Sequence, residues 1–544
     1  MTNAGGDSKR ARLRAASMTA VALLLATFLA GCGDGGSGGG STSSTRMAER
    51  INRLRDDPSG LAALLQQMPK GADLHSHLTG AAQTESLIDW GIADQLCVDQ
   101  ASFTAATPPC APNAVPMKDA ETDPALYDDI LGAWSMQGFD APVLERHAHF
   151  FATFGKFGAA AGAHSADIIV EQKREAAREH IAYLELMASY GSSQAIAVGT
   201  DYLPSGDTWS AEYLLAHRAL MLADARFGAA LDMGEAFVAS IFDQVDQTLG
   251  CGTPNAEPAC AVEVRLQVTG TRTGTRAAVF AQFLYGFELA QRDARVVGIN
   301  LVAPEEDPNS LRFYDDDMLG AGTLRQSYAS DASLRPVHVS LHAGELIPAV
   351  LPDTPDGQAQ LTFHIRHAVE IGHADRIGHG VDLQDEYQGP GRTPQTLLTT
   401  MHKRGVMVEI NLTSNDLLLG IAGNAHPLHA YLKRGVPVAL STDDEGVLRT
   451  DLTEQYVRAV TVQGLGYLTL KRLARNALEY SFAPGDSLWR DAGSYRRPVR
   501  ACVGQRPGSD DPKPACADFL AASRRADLQW SLERDLRAFE RNSQ

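Results

Sequence analysis

The stretch Pro69-Lys-Gly-Ala-Asp-Leu-His-Ser-His-Leu-Thr-Gly80 combines a short apolar run with two histidines spaced two residues apart. Side chains of a β-strand alternate between its faces, so His75 and His77 would lie on the same face. Two imidazoles in this arrangement can bind one metal ion. A pair of solvent-facing histidines is the alternative, so the interpretation depends on the rest of the chain.

Three further motifs follow in the chain, each at the end of an apolar, β-branched run. They are His342-Ala-Gly-Glu345, Gly378-His379-Gly380 and Ser441-Thr-Asp-Asp444. Their residue types are those of metal ligands and of acid–base catalysts. The four motifs together therefore predict one catalytic site.

The runs themselves predict the fold. Eight of them have the length and composition of strands, at about residues 72–76, 182–188, 263–269, 296–302, 336–342, 375–379, 406–412 and 436–442. Segments of mostly helical composition separate them, which predicts the α/β class and a (β/α)₈ TIM barrel with insertions. The motifs then fall on the first, fifth, sixth and eighth strands, at the carboxyl ends where such barrels form active sites.

The four motifs, in this order and spacing, resemble the adenosine deaminase branch of the amidohydrolase superfamily. The resemblance covers residues 68–482 and includes Arg376-Ile-Gly-His-Gly380. It implies hydrolytic deamination of adenosine or 2'-deoxyadenosine to inosine or 2'-deoxyinosine and ammonia. The implied partner is thus a small purine nucleoside.

The residue types agree with that chemistry. His75, His77 and His342 offer nitrogen donors and Asp443 a carboxylate, a set suited to one catalytic Zn²⁺ per chain with a position open for water. A bound divalent ion lowers the pKa of water from ~15.7 toward ~7. His379 is the candidate base and electrostatic partner for the resulting hydroxide.

The resemblance also implies roles toward the substrate. Glu345 would donate a proton to nitrogen 1 of the purine, and Asp443 belongs to the catalytic set as well as to the metal ligands. Asp444 would hold the imidazole-ring nitrogen of the base, although in an extended chain it points away from Asp443 unless the backbone turns. Thr79 and Ala303 stand at positions that contact the substrate in the family.

Each motif also has a structural interpretation. His342 and Glu345 could form the first turn of a helix, with Glu345 serving the helix dipole. His379 could be a hydrogen-bonded core histidine. Asp443 and Asp444 could form a solvated turn or cap the following helix.

Three departures from the family pattern bear on substrate choice. Thr79 replaces an aspartate, Ala303 replaces a glycine in Asn300-Leu-Val-Ala-Pro-Glu305, and Glu445 replaces a proline. A deaminase of adenine or of another modified purine is therefore the alternative function. A non-catalytic binding lipoprotein is the alternative from another class.

Phenylalanines recur before the second predicted strand, at positions 150, 151, 154 and 157. Their spacing is that of a buried helix face, which is the interpretation we favour. The alternative is an aromatic lid over the site.

The amino-terminal segment predicts export. Basic residues precede an apolar run that ends Leu29-Ala-Gly-Cys32, which resembles a bacterial lipobox with Cys32 as the lipidated residue. A plain signal peptide is the alternative. We predict a signal peptide at 1–31, a lipid-anchored flexible linker at 32–46, the barrel at 47–485 and a carboxyl-terminal helical extension at 486–544. The predicted location is the bacterial cell envelope, at the outer membrane or periplasmic face.

The other six cysteines form three close pairs: Cys97 with Cys110, Cys251 with Cys260, and Cys502 with Cys516. Such pairs suit local disulfides in an oxidising compartment; reduced buried thiols are the alternative. The net charge of −18 disfavours nucleic acid as a partner. The extension could pack on the barrel or mediate self-association, and the sequence leaves the oligomeric state open.

Overall fold

The structure is a computed structural model that describes residues 40–542, with side chains from residue 43 onward. The predicted signal peptide, Cys32 and the first part of the predicted linker lie outside the described residues.

Within these limits the strands fall into a barrel and a small separate sheet. They are β1 (Gly71–His77), β2 (Cys97–Asp99), β3 (Ala105–Ala106), β4 (Ala114–Pro116), β5 (Ile181–Met187), β6 (Glu263–Thr271), β7 (Val296–Val302), β8 (His338–Ala343), β9 (Arg376–His379), β10 (Met407–Ile410) and β11 (Val438–Leu440).

Helices surround the barrel and extend it at both ends of the chain. They are α1 (Gly40–Leu54), α2 (Pro58–Gln66), α3 (Leu78–Ala81), α4 (Thr84–Ala93), α5 (Pro124–Trp134), α6 (Val143–Ala161), α7 (Ser165–Arg178), α8 (Ser193–Tyr202), α9 (Ala211–Ala223), α10 (Ala225–Leu249), α11 (Arg276–Arg292), α12 (Pro308–Ala329), α13 (Pro355–Ala359), α14 (His364–Glu370), α15 (Pro394–Arg404), α16 (Leu412–Leu419), α17 (Leu428–Arg434), α18 (Glu445–Leu448), α19 (Leu452–Thr461), α20 (Tyr467–Glu479), α21 (Pro514–Ala522) and α22 (Arg524–Arg541).

Eight strands form one parallel sheet in the order β1-β5-β6-β7-β8-β9-β10-β11. Each overlaps one of the eight strands predicted from the sequence, so the predicted (β/α)₈ barrel is confirmed. The sheet closes beyond β11, where the Asp443 N–H donates to the His75 carbonyl (2.9 Å) and the His77 N–H donates to the Asp443 carbonyl (3.1 Å). Closure of the barrel therefore brings Asp443 directly beside the two histidines of β1.

The barrel strands are buried on both faces, which explains their continuous apolar sequence. In β7, for example, the first six residues are all buried. A parallel strand covered by helices outside and by side chains inside has no solvent-facing side.

Each of the three predicted cysteine pairs forms a disulfide. The strands β2, β3 and β4 form an antiparallel sheet held by the Cys97–Cys110 disulfide. The helices α9 and α10 form the longer insertion between β5 and β6, and the Cys251–Cys260 disulfide follows them. A third disulfide, Cys502–Cys516, lies in the carboxyl-terminal extension.

The carboxyl-terminal extension packs on the barrel, which is the first of its two predicted roles. Its last helix, α22, buries four apolar side chains in the main core, namely Leu528, Leu532, Leu536 and Phe539. A smaller cluster around Trp489 and Trp530 forms the core of the extension itself.

The helix α1 overlaps the predicted flexible linker. The helix α1 begins at Gly40, and so includes the last seven residues of the predicted linker. Its start contacts the carboxyl-terminal helix, since the Ser44 hydroxyl donates to Glu540 Oε1 at 2.6 Å. A Gly- and Ser-rich composition predicted flexibility, but the tertiary contact with α22 supports a helix here.

Within residues 40–542, we find no helix with the length and apolar character needed to cross a membrane.

Candidate active site

The four predicted metal ligands converge at the carboxyl ends of the barrel strands. His75 and His77 come from β1, His342 from β8, and Asp443 from the segment after β11. The Nε2 atoms of His77 and His342 lie 3.1 Å apart. Asp443 Oδ1 lies 3.5 Å from His75 Nε2 and 3.4 Å from His77 Nε2. All four donor atoms lie within 4.8 Å of one another, so this group could hold one metal ion.

The surroundings of the histidines orient their donor atoms toward this centre. His75 Nδ1 lies 2.7 Å from Glu409 Oε2, and His342 Nδ1 lies 2.9 Å from Asn300 Oδ1. Each ring thus uses Nδ1 for a hydrogen bond and turns Nε2 inward, as metal-binding histidines do. The Nε2 atom of His75 is buried without a hydrogen-bond partner, which fits a ligand role.

The charges of the cluster favour a cation at its centre. Burial lowers the pKa of His75, but the carboxylates of Asp443 and Glu409 outweigh burial and raise it to about 10. The two carboxylates therefore stabilise one positive charge here, which either a proton or a divalent ion can supply. Metal binding at the site would release that proton.

Both aspartates of the last motif face the site because the backbone turns between them. Asp443 has φ +67°, in the left-handed region that non-glycine residues rarely adopt. Both side chains are buried, so the interpretation as a solvated turn is wrong. Asp444 precedes α18, yet its side chain makes no capping hydrogen bond. In an extended chain Asp444 would point away from Asp443, so this turn is what allows the two side chains to act side by side.

The Asp444 carboxyl occupies space that only a glycine at position 80 leaves open. A Cβ atom at Gly80 would lie 1.7 Å from Asp444 Oδ1. Burial and the neighbouring Asp443 raise the pKa of Asp444 well above its usual range. Both effects favour the protonated form of the Asp444 carboxyl.

Glu345 and His379 lie together on the rim of the metal cluster. Glu345 follows β8 in an irregular segment, so the interpretation as a helix start is wrong. Its Oε1 lies 3.5 Å from His379 Nδ1. Burial, followed by repulsion from Asp443, raises the pKa of Glu345 well above its usual range. Burial and the neighbouring carboxylate therefore favour the protonated form of Glu345.

His379 is held by amides on one nitrogen and faces the cluster with the other. The Asn415 amide lies 3.0 Å from His379 Nδ1 and its oxygen lies 3.1 Å from His426 Nε2. His379 Nε2 has no hydrogen-bond partner and lies 3.9 Å from Asp443 Oδ2. Burial lowers the pKa of His379 to about 3, which keeps the ring neutral.

These side chains line one cavity of about 350 Å³. Its polar wall consists of His77, His342, Glu345, His379, Asp443 and Asp444, and its other wall is largely apolar. Among the described lining residues there is no lysine or arginine. The cavity therefore fits a small, flat, uncharged molecule with polar groups at one edge.

The helix α6 contributes three phenylalanines to the apolar wall. Phe150, Phe151 and Phe154 line the cavity, whereas Phe157 is 1% exposed and lies in the core. The helix thus serves both interpretations of its sequence: it has a buried face, and its edge forms an aromatic wall of the site.

The predicted substrate contacts Thr79 and Ala303 both line the cavity. Ala303 has φ +83°, a conformation that favours glycine, so the alanine is strained at this point. Glu445 is buried outside the described lining, and burial together with Glu179 raises its pKa well above its usual range.

Asn300 and Glu409 were not among the predicted site residues. Both are polar residues inside strands that are otherwise apolar, and each lies within hydrogen-bond distance of a histidine of the candidate metal site. A buried strand tolerates such a residue only when a partner satisfies it. A polar residue in an otherwise apolar strand was therefore the sequence signal that could have identified both residues.

Comparisons with known proteins match parts of the chain to the family that its sequence motifs resemble. Residues 234–489 match the family model described as adenosine deaminase. The adenosine deaminase of Salmonella dublin is 30% identical over 183 residues, 34% of this chain and 49% of that protein. That of Klebsiella pneumoniae is 28% identical over 225 residues, 38% of this chain and 61% of that protein. The chain spans about half the length of the curated relatives it matches.

Among solved structures, the N6-mAMP deaminase of Arabidopsis is 20% identical, with a TM-score of 0.44 over 77% of this chain and 95% of that chain. The adenine deaminase of Arthrobacter aurescens is 16% identical, with a TM-score of 0.42 over 76% of this chain and 94% of that chain.

Proposed function

We propose that this chain is a metal-dependent hydrolase that deaminates adenosine or 2'-deoxyadenosine, giving inosine or 2'-deoxyinosine and ammonia. The observation that carries the proposal is the convergence of four metal-type donors with Glu345, His379 and Asp444 in one cavity. The family match over residues 234–489 supports it independently.

One Zn²⁺ per chain would be held by His75, His77, His342 and Asp443, a set of nitrogen and oxygen donors that suits this ion. When bound, the ion would supply a water of lowered pKa for attack on carbon 6 of the purine.

The protein side chains supply the remaining steps. Glu345, whose protonated form burial favours, donates its proton to nitrogen 1 and makes carbon 6 electrophilic. Asp444, whose protonated form burial and Asp443 favour, donates to the imidazole-ring nitrogen and orients the base. His379, which turns Nε2 toward the cluster, is the candidate base and electrostatic partner for the attacking water.

The cavity walls favour a nucleoside over a nucleotide. A 5'-phosphate carries a charge that needs lysine, arginine or amide donors, and the described lining contains neither cationic residue. The apolar edge from α6 suits a sugar face or an uncharged 5' group. Thr79, in place of a carboxylate, leaves free adenine or a modified purine as the alternative substrate.

Metal analysis combined with two variants tests the catalytic assignment. His75→Ala removes a ligand, so we expect loss of both bound zinc and activity. Glu345→Gln cannot donate the proton, so we expect full zinc content and a fall in kcat of roughly 10²–10⁴-fold. His217→Ala, on α9 and outside the cluster, is the matched control and keeps both properties.

Absorbance assays on adenosine, deoxyadenosine, AMP, adenine and N6-methyladenosine test the substrate assignment. The proposal predicts the highest kcat/KM for the two nucleosides. Faster turnover of adenine would show that adenine, the alternative substrate, is the preferred one. Zinc-loaded protein that is inert on all five compounds would favour a binding lipoprotein. A Glu345→Gln variant with the wild-type rate would refute the proton-donor assignment.

We also propose that the protein is exported and anchored by a lipid on Cys32 to the bacterial cell envelope. Support comes from the lipobox-like sequence and from three disulfides, which are typical of oxidising compartments. Detergent-phase partitioning of the full chain and of Cys32→Ser tests it. We expect the wild type in the detergent phase and the variant in the aqueous phase; equal partitioning would contradict the anchor.

A further inference from the structure

Glu305 makes a set of contacts that the proposed chemistry does not use. Its side chain is fully buried behind the site. Oε1 accepts the Gly344 N–H at 3.0 Å, and Oε2 accepts the Glu345 N–H at 2.8 Å. The Glu305 carboxylate thus accepts hydrogen bonds from two successive peptide N–H groups. The second N–H belongs to Glu345, the proposed proton donor.

Two basic side chains hold Glu305 in turn. His364 Nδ1 lies 2.6 Å from Oε1, and Arg272 Nη1 lies 3.6 Å from Oε2. Burial alone would disfavour the charged form, but Arg272 and the His364 hydrogen bond outweigh burial and lower the pKa of Glu305 to about 2. The carboxylate is therefore ionised, and charge-assisted hydrogen bonds to it are stronger than neutral ones.

Arg272 also contacts the strand that carries a metal ligand. Its Nη1 donates to the His342 carbonyl at 3.4 Å. The Arg272 guanidinium thus contacts both the end of β8 and the Glu305 carboxylate. That carboxylate accepts hydrogen bonds from the Gly344 and Glu345 peptides. Arg272 itself is 1% exposed.

The held segment is irregular backbone with no helix to support it. Gly344 has φ +75°, and a Cβ there would lie 2.4 Å from Asp382 Oδ1. Only two residues separate His342 from Glu345, so a small rotation of this segment moves the Glu345 carboxyl relative to the metal cluster.

We infer that Glu305, clamped by Arg272 and His364, is the positioning residue that aims Glu345 at the substrate. The inference rests on the proposed function for the role of Glu345. Glu305 does not itself line the cavity and bonds to no metal-type donor atom; it acts through the Gly344 and Glu345 peptides.

Glu305→Gln tests the inference. A glutamine has one acceptor oxygen, so its NH₂ group would face one of the two peptide N–H groups. Misplacement of a catalytic group commonly lowers rate by roughly 10²-fold, so we expect kcat to fall by about that factor, with KM within roughly threefold and zinc content unchanged. Glu306→Gln is the matched control: its carboxylate pairs with His147 at 3.5 Å instead of with this segment. We expect it to keep kcat.

A double-mutant cycle separates positioning from general structural damage. If Glu305 acts only through Glu345, Glu305→Gln/Glu345→Gln is no slower than Glu345→Gln alone. A further fall of the same factor in the double variant would overturn the inference, as would a Glu305→Gln enzyme with wild-type kcat. Arg272→Lys, which keeps the charge but shortens its reach, is expected to lose roughly tenfold in kcat and covers the case of a poorly folded Glu305→Gln.

Hydrogen exchange tests the same contacts without relying on activity. In Glu305→Gln, the Gly344 and Glu345 amides are expected to exchange at least roughly tenfold faster, with the β7 amides unchanged. Unchanged exchange at both amides would overturn the inference even if the wild type proved inactive on purines. Inactivity of the wild type would refute the proposed function alone.

Discussion

Single backbone positions set the geometry of this site. Asp443 in a left-handed conformation brings two consecutive aspartates to one cavity, and Gly80 leaves the space that the Asp444 carboxyl fills. Neither feature follows from the chemistry of the side chain itself. Both depend on how the segment around Asp443 packs against the segment that follows β1.

Gly80→Ala is expected to weaken substrate binding while leaving the metal bound. Its Cβ would lie 1.7 Å from Asp444 Oδ1, so the Asp444 carboxyl must move away from the purine. Loss of a hydrogen bond in a buried site is worth about 1–3 kcal/mol, which predicts a rise in KM of roughly 5–150-fold. Steady-state kinetics and zinc analysis on the same preparation check it.

Gly228→Ala is the control for that substitution. Gly228 lies in α10, and a Cβ there would meet no atom within 4 Å. Alanine favours a helix over glycine by about 1 kcal/mol, so this variant should keep KM and lose no stability. A Gly80→Ala enzyme with wild-type KM would show that Asp444 does not contact the substrate.

At the scale of one element, α6 shows how a single helix can serve two functions. Its apolar spacing is that of a core helix, and Phe157 does lie in the core. The neighbouring phenylalanines at the edge of the same face reach the cavity instead. Periodicity identifies an apolar face but not which part of it meets another helix and which part meets a ligand.

Phe157→Ala is expected to act mainly on stability, and Phe154→Ala mainly on substrate binding. Truncating the fully buried Phe157 should lower the free energy of unfolding by about 3–5 kcal/mol. Truncating Phe154, which is half-buried on the cavity wall, should raise KM with a smaller loss of stability. Urea unfolding and steady-state kinetics of both variants check this contrast, and equal losses of stability with unchanged KM would assign both rings to the core alone.

Element by element, the eight barrel strands were predictable because their signal is local. Each is a short apolar, β-branched run, and each predicted run overlaps a strand of the barrel. The start of α1 shows a relation that is not local. Its Ser44 hydroxyl donates to Glu540 Oε1, a residue 496 positions away in the sequence.

At the scale of the whole molecule, buried carboxyl groups make stability depend on pH. Burial raises the pKa of Glu386 to about 7, and the Arg366 backbone N–H and charge offset this only in part. In the unfolded chain a glutamate has a pKa of about 4.3. Between these values the folded protein binds more protons than the unfolded one, so stability falls as pH rises through this window.

Glu386→Gln is therefore expected to flatten the pH dependence of unfolding. The wild type should lose up to about 3 kcal/mol between pH 4 and pH 8 through this group alone, and the variant should lose that much less. Urea unfolding at several pH values measures the difference. Glu212→Gln, an exposed change on α9, is the control, and identical pH slopes for wild type and Glu386→Gln would refute the assignment.

The sequence by itself determined the barrel and the donors at its carboxyl ends, because strand periodicity and motif chemistry are local properties of the chain. The tertiary structure decided which residues serve those donors: Asn300 and Glu409 behind the histidines, and Glu305 behind Glu345. It also decided that Asp443 and Asp444 share one cavity. These relations arise only when the closing barrel brings together segments far apart in the chain, where burial forces each polar group to find a partner.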